Sequence, residues 1–170
     1  MLETRTIYRS ELIDFLREIP ELQATIGCTQ SEPHRFDVLS HTLQVVDYVR
    51  NFNDIRSYGP AGDERPYEGL TRGEILELAA WLHDIGKPET KTSRMQDGKE
   101  CCISFYGHDD SGAKLCYLIL PRLGLSFADT RAVSNLVELH LRPAFLARLW
   151  PQVTDHALYR LDVASREWLP

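Results

Sequence analysis

Three histidines fall where helical period aims a side chain inward, and that placement limits the chain more than any other feature. His41 lies between Val38 and Val45 in FDVLSHTLQVVDYVRNF, on a stripe shared with Tyr48, Val49 and Phe52. His83 continues the face of Leu76, Ala79 and Ala80, and His140 continues that of Val133, Leu136 and Val137. One buried neutral imidazole is an ordinary core residue. Three of them, with Asp84 directly after His83, form a set of nitrogen and oxygen ligands that suits Zn, Mn, Fe or Ni. Convergence on one cation would also offset the desolvation each group suffers alone. Adjacent helical residues point about 100° apart, so His83 and Asp84 can share an ion only at a helix end. Gly86 and Pro88 supply that end.

The rest of the chain reads as helices broken by irregular stretches. Ser10 caps a helix over 10–18 that Pro20 stops, and a second helix covers 36–52. The loop SYGPAGDERP follows, and then Thr71 and Glu74 form a capping box ahead of ILELAAWL. Residues 90–106 lose the helical period, and Asp97-Gly98 between TKTSRM and CCISFY predicts a β-hairpin. Helices return over 111–120, 127–141 and 155–168. With no linker, repeat or low-complexity tract, residues 1–170 read as one compact all-α domain with a short hairpin excursion.

Charge and cysteines narrow the function. A formal net charge of −6 argues against a broad grip on long nucleic acid. No apolar run approaches the roughly 18 residues that span a bilayer, and MLETRTIYRSEL lacks a signal-peptide core, so no membrane role and a cytoplasmic setting are expected. Cys28, Cys101, Cys102 and Cys116 contain no C-x-x-C pair and read as free thiols.

Five phrases then occur in a telling order: DVLSHTLQVVD with His41, WLHDIGKP with His83 and Asp84, FYGHDDSGAKL with His108, LVELHLRP with His140, and YRLDVAS with Asp162. Together they resemble the HD superfamily of metal-dependent phosphohydrolases. The likeness is greatest to the HD domain of bacterial tRNA nucleotidyltransferases and poly(A)-polymerase-like proteins. The motif-bearing core runs over about 34–165. Residues before 30 do not carry the glycine-serine signature and paired carboxylates of the nucleotidyltransferase domain in those polymerases, so nucleotide addition is not carried over.

The resemblance implies a helical HD bundle with a first divalent metal (Mn, Ni, Co, Mg, Zn or Fe) on His41, His83, Asp84 and Asp162. Asp155 is the alternative last ligand. His108 and His140 then either help hold a second metal, with Asp84 bridging, or face the substrate phosphate. Hydroxide from metal-bound water would attack phosphorus, with His108 or His140 available to protonate the leaving oxygen. Lys87 and Arg142 are candidate phosphate clamps. Asp37 and Asp109 would orient ligand histidines or serve helix N-termini, whereas His34 and His156 read as surface residues. Trp81, Trp150 and Trp168 read as packing residues.

The expected substrate is a small phosphorylated molecule, a nucleotide monoester or diester such as a 2′,3′-cyclic phosphate, or an RNA end. Two other readings stay open: a noncatalytic nucleotide- or RNA-binding module with a structural metal, and a di-iron oxidase of the same architecture.

Overall fold

The computed structural model describes residues 18–31, 34–54 and 69–166. The helix expected over 10–18, apart from Glu18, the SYGPAGDERP loop and Trp168 therefore lie outside the described residues. The elements, in chain order, are a 3-10 turn at Pro20–Thr25, α1 (Val38–Asp54), α2 (Arg72–Leu82) and the short α3 (Lys87–Thr90). A hairpin follows, β1 (Thr92–Gln96) and β2 (Lys99–Ser104). Then come α4 (His108–Ile119), a 3-10 turn at Leu120–Leu123, α5 (Phe127–Leu139), α6 (Arg142–Arg148) and α7 (Asp155–Arg166). The fold is all-α with one antiparallel hairpin. Among the described residues, no helix is long and apolar enough to cross a membrane.

Each helix starts where its side chains dictate. The capping box ahead of α2 is complete: Glu74 N–H donates to Thr71 Oγ1 at 3.2 Å, and Thr71 N–H donates to Glu74 Oε2 at 2.7 Å. Asp37 caps α1 by accepting from Ser40 N–H, and its other oxygen accepts from Gly27 N–H. Ser126 caps α5 through Asp129 N–H. The hairpin turns at Asp97 and Gly98, whose φ of 52° and 73° are the paired positive values of a tight two-residue turn. The register slips once, with Thr92 opposite Ser104 but Arg94 opposite Cys101. The extra residue is in β2, where Cys102 takes a φ of 53°.

α1, α2, α4 and α5 pack around Trp81, Leu82, Ile119, Val46, Val133 and Val137, all at most 1% exposed. Burying each such side chain contributes roughly 1.5–3 kcal/mol. α7 lies against α5 and α6, with Asn135 Nδ2 donating to the Ala164 carbonyl.

Three expectations need correcting here. The buried face of α1 is Val38, Leu39, Thr42 and Val46, while Tyr48 is 77% exposed. The stripe is rotated toward Thr42, which leaves His41 at the edge of the core instead of inside it. On α2, Leu76 is exposed, and Ile75 and Ala79 carry the packing. α4 begins at His108, three residues earlier than expected, after Gly107 in the left-handed region with φ of 77°. All four cysteines are free thiols, with Cys28 and Cys116 buried.

Candidate metal centre

Asp84 sits in the turn between α2 and α3. α2 ends at Leu82, Ile85 N–H donates to the Leu82 carbonyl, and Lys87 N–H donates to the Asp84 carbonyl. Pro88 is the second residue of α3, in the first turn, where its missing N–H costs nothing. The pair His83 and Asp84 therefore stands at a helix end, the only place where both can meet one ion.

Four imidazoles surround the Asp84 carboxylate and divide its oxygens. Oδ2 is 3.1 Å from His83 Nε2 and 3.7 Å from His41 Nε2. Oδ1 is 3.4 Å from His108 Nε2 and 3.8 Å from His140 Nε2. Two metal-competent trios result, His41–His83–Asp84 and Asp84–His108–His140, and each keeps its ligand atoms within 4.8 Å of one another. Asp84 is their shared member. Neighbouring rings meet edge-on with centroids 5.2–5.4 Å apart, from His41 through His83 and His140 to His108.

The tautomers follow from the backbone. His83, His108 and His140 each place Nδ1 within 2.6–2.8 Å of the carbonyl three residues earlier, at Ala80, Phe105 and Val137. A carbonyl only accepts, so each Nδ1 carries the proton and each Nε2 presents a lone pair toward Asp84. The Nε2 atoms of His83 and His108 are buried without a hydrogen-bond partner. Leaving such an atom unsatisfied costs about 1–3 kcal/mol. Three imidazole lone pairs facing a carboxylate fit a divalent cation, which removes that cost.

Electrostatics keep the ligands in binding form. Burial opposes ionisation of Asp84, yet its carboxyl is held far below its ordinary range, and the buried Lys87 ammonium 2.8 Å from Oδ2 is the cation that favours the charged form. Burial pushes His41 down to about 4, with the Lys87 ammonium acting in the same direction against the pull of Asp84. Burial likewise brings His140 down to about 4. Both rings are neutral at pH 7. The unfolded chain binds their protons near 6.5 and the folded chain only near 4. Stability of the metal-free protein is therefore fully present above pH 6.5 and falls progressively as pH drops toward 4. Thermal melts followed by circular dichroism in EDTA check this; a melting temperature unchanged between pH 7 and pH 4.5 would contradict it.

The remaining predicted site residues have different places. Lys87 is only 5% exposed and donates to Asp84 Oδ2 at 2.8 Å and to Gln30 Oε1 at 2.7 Å, with its Nζ 5.3 Å from the Phe105 ring centroid. It is part of the interior of the centre, not a clamp at its rim. Arg142 is exposed at the start of α6 and lines a groove of about 590 Å³ between α5, α6 and α7.

Asp162 and Asp155 join neither trio. Ala157, Leu161 and Ala164 form the groove-lining face of α7, and Asp162 is one residue, about 100°, off it. Asp155 is exposed at the start of that helix. Asp37 is committed to its cap, Asp109 lies in the first turn of α4, and His156 is exposed. Trp81 is buried, whereas Trp150 is 72% exposed instead of packed. Sequence reasoning missed Gln30, a lone amide in an irregular stretch, whose signal exists only in its bond to Lys87.

A helical bundle that gathers four histidines around one aspartate defines a domain of the histidine–aspartate type, with side chains that could hold a metal ion. The HD domain family model matches residues 38–166, and the chain belongs to that family. The A-adding tRNA nucleotidyltransferase of Deinococcus radiodurans is 33% identical over 123 residues, 72% of this chain and 24% of the relative. A bifunctional uridylyltransferase/uridylyl-removing enzyme of Ruegeria pomeroyi is 29% identical over 133 residues, 76% of this chain and 13% of the relative. The corresponding enzyme of Zymomonas mobilis is 26% identical over 152 residues, 88% of this chain and 14% of the relative. The chain thus spans a quarter or less of these curated relatives.

Proposed function

We propose that the protein is a metal-dependent phosphohydrolase acting on phosphoesters of nucleotides, with its chemistry on one domain over about 34–165. The observation that carries this reading is the single carboxylate whose two oxygens each face a pair of imidazoles. His41, His83 and Asp84 would hold one divalent cation and Asp84, His108 and His140 a second. Such ions supply a Lewis acid for the phosphoryl oxygen and an acidified water as nucleophile.

The chain's own residues prepare the site. Lys87 fixes the Asp84 carboxylate through a buried 2.8 Å bond, so both oxygens keep their orientation between the ring pairs. The backbone carbonyls of Phe105 and Val137 lock the His108 and His140 rings, whose Nε2 lone pairs can meet a cation. His140 and His41 are the more exposed rings, with side chains 17% and 29% accessible, so substrate enters from their side. Arg142 follows His140 by two residues and serves a longer phosphorylated substrate such as an RNA end, with its fork of donors matched to phosphate.

The names of the relatives, tRNA nucleotidyltransferase and uridylyl-removing enzyme, favour nucleotide substrates. The test is a panel of nucleoside monophosphates, 2′,3′-cyclic nucleotides and p-nitrophenyl phosphate, each assayed with Mn, Ni, Co or Mg on protein first stripped with EDTA. Nucleotide hydrolysis restored by a divalent cation is the expected outcome. Full cation loading without hydrolysis of any panel member would overturn the reading in favour of a binding module.

A further inference from the structure

Beside the metal centre, a pocket of about 230 Å³ is lined by His34, Arg35, Phe36, His41 and Gln44. One wall is therefore a ligand histidine, and the remainder belongs to no part of the centre. The His34 ring stands edge-on to His41 with centroids 5.2 Å apart, which continues the row of imidazoles outward. Phe36 is 51% exposed. Arg35 is exposed and has no hydrogen-bond or ion-pair partner among the described residues. Gln44 uses its Nε2 in a long 3.4 Å bond to the Ser40 carbonyl, and its side-chain oxygen remains able to accept.

This wall is also tied to the reacting centre. Gln30 Nε2 donates to the Phe36 carbonyl at 3.2 Å, while Gln30 Oε1 accepts from Lys87, which in turn donates to Asp84. Asp37, the next residue after Phe36, is held from both sides by Gly27 N–H and Ser40 N–H. A short hydrogen-bonded chain thus sets the pocket wall relative to the carboxylate that would bind metal, and such preorganisation lowers the entropic cost of binding.

An open aromatic face, an unpaired guanidinium and an amide within one small cavity match the parts of a nucleotide. A base stacks on an aromatic ring whatever its identity, a guanidinium bonds phosphate oxygens in a fork, and an amide reads a base edge. Resting on the phosphohydrolase reading above, we propose that this pocket is the nucleoside subsite of the substrate. The base lies against Phe36 within reach of Gln44, Arg35 engages the sugar–phosphate, and the scissile phosphoester lies at Asp84.

The test compares binding of adenosine 5′-monophosphate, uridine 5′-monophosphate and ribose 5-phosphate, by calorimetry on EDTA-stripped protein. Phe36→Ala and Arg35→Ala are the variants, both at exposed positions, with circular dichroism to check the fold. Phe36→Ala is expected to weaken both nucleotides roughly tenfold and ribose 5-phosphate less than twofold. Arg35→Ala is expected to weaken all three. Nucleotide affinity unchanged by either variant, equal losses for nucleotide and ribose phosphate in Phe36→Ala, or no nucleotide binding by the unaltered protein would each overturn the proposal. A failed phosphohydrolase reading looks different: the unaltered protein would bind nucleotide with Phe36-dependent affinity yet hydrolyse none with any cation.

Discussion

Asp84→Asn is expected to empty the centre of divalent cation and lower nucleotide hydrolysis by about three orders of magnitude. The amide keeps the shape of the carboxylate but has one acceptor oxygen instead of two, and its nitrogen points donors at imidazole lone pairs. Neither pair of rings then shares a charged ligand. The substitution also strands Lys87, which is 5% exposed and bonded to Asp84 Oδ2 at 2.8 Å. Gln30 Oε1 and the Phe105 face remain as partners, but neither carries charge. Breaking a buried pair from one side costs about 3–5 kcal/mol, so the variant melts well below the unaltered protein in EDTA. Replacing Lys87 as well, in Asp84→Asn/Lys87→Met, removes the orphaned charge and recovers much of that loss without recovering activity. Metal content by mass spectrometry, melting temperature and nucleotide hydrolysis read the three effects separately. An Asp84→Asn protein that keeps its cation and its turnover would remove the centre from the chemistry.

The helical pattern and the histidines are legible in the sequence because both depend on local spacing. The capping box at Thr71 and Glu74, the turn at Asp97-Gly98 and the end of α2 before Gly86 are each decided by a few adjacent residues. That His83 and Asp84 must stand at a helix end followed from the angle between adjacent residues alone. The errors lie where docking decides. A stripe centred on Val38, Val45 and Val49 leaves about one residue of rotation open, and Thr42 took the buried place that Tyr48 was expected to share. Asp162 has the spacing of a ligand, but spacing fixes only its position along α7; what it reaches is decided by how that helix sits against α5, where Asn135 Nδ2 donates to the Ala164 carbonyl. Lys87, just past the His83–Asp84 pair, reads as a phosphate clamp in the sequence; its burial against Asp84 and Gln30 comes from the fold of the turn and the 28–31 segment over it. Gln30 had no pattern to reveal it.

Gly86→Ala is expected to lower stability by about 1–3 kcal/mol and activity by about a hundredfold, even though its φ of −78° suits alanine. The cause is contact, not conformation. A Cβ on Gly86 would meet the His108 carbonyl oxygen at 2.3 Å, Gly112 N at 2.6 Å and Ser111 Oγ at 3.0 Å. Two of these are backbone atoms in the first turns of α4 and cannot rotate aside. To restore even a 3.0 Å contact with the His108 carbonyl, the two segments must separate by 0.7 Å, the difference between 3.0 and 2.3. One segment carries Asp84 and the other His108, so the 3.4 Å approach of Asp84 Oδ1 to His108 Nε2 opens with them. Functional groups need placement within about 0.5 Å, and the Asp84–His108–His140 trio is the one disturbed. His41 and His83 lie on the other side of the carboxylate, so cation binding there is retained in part. Gly112→Ala provides the contrast. Its nearest contact is a Val137 methyl at 3.1 Å, a side-chain contact that needs a shift of a few tenths of an ångström and involves no close backbone atom, and alanine in a helix interior gains about 1 kcal/mol over glycine. The two substitutions should therefore differ in melting temperature, with Gly86→Ala much the lower. Equal melting temperatures and equal turnover for the pair would show that backbone contact between the Asp84 turn and α4 does not set the geometry of the centre.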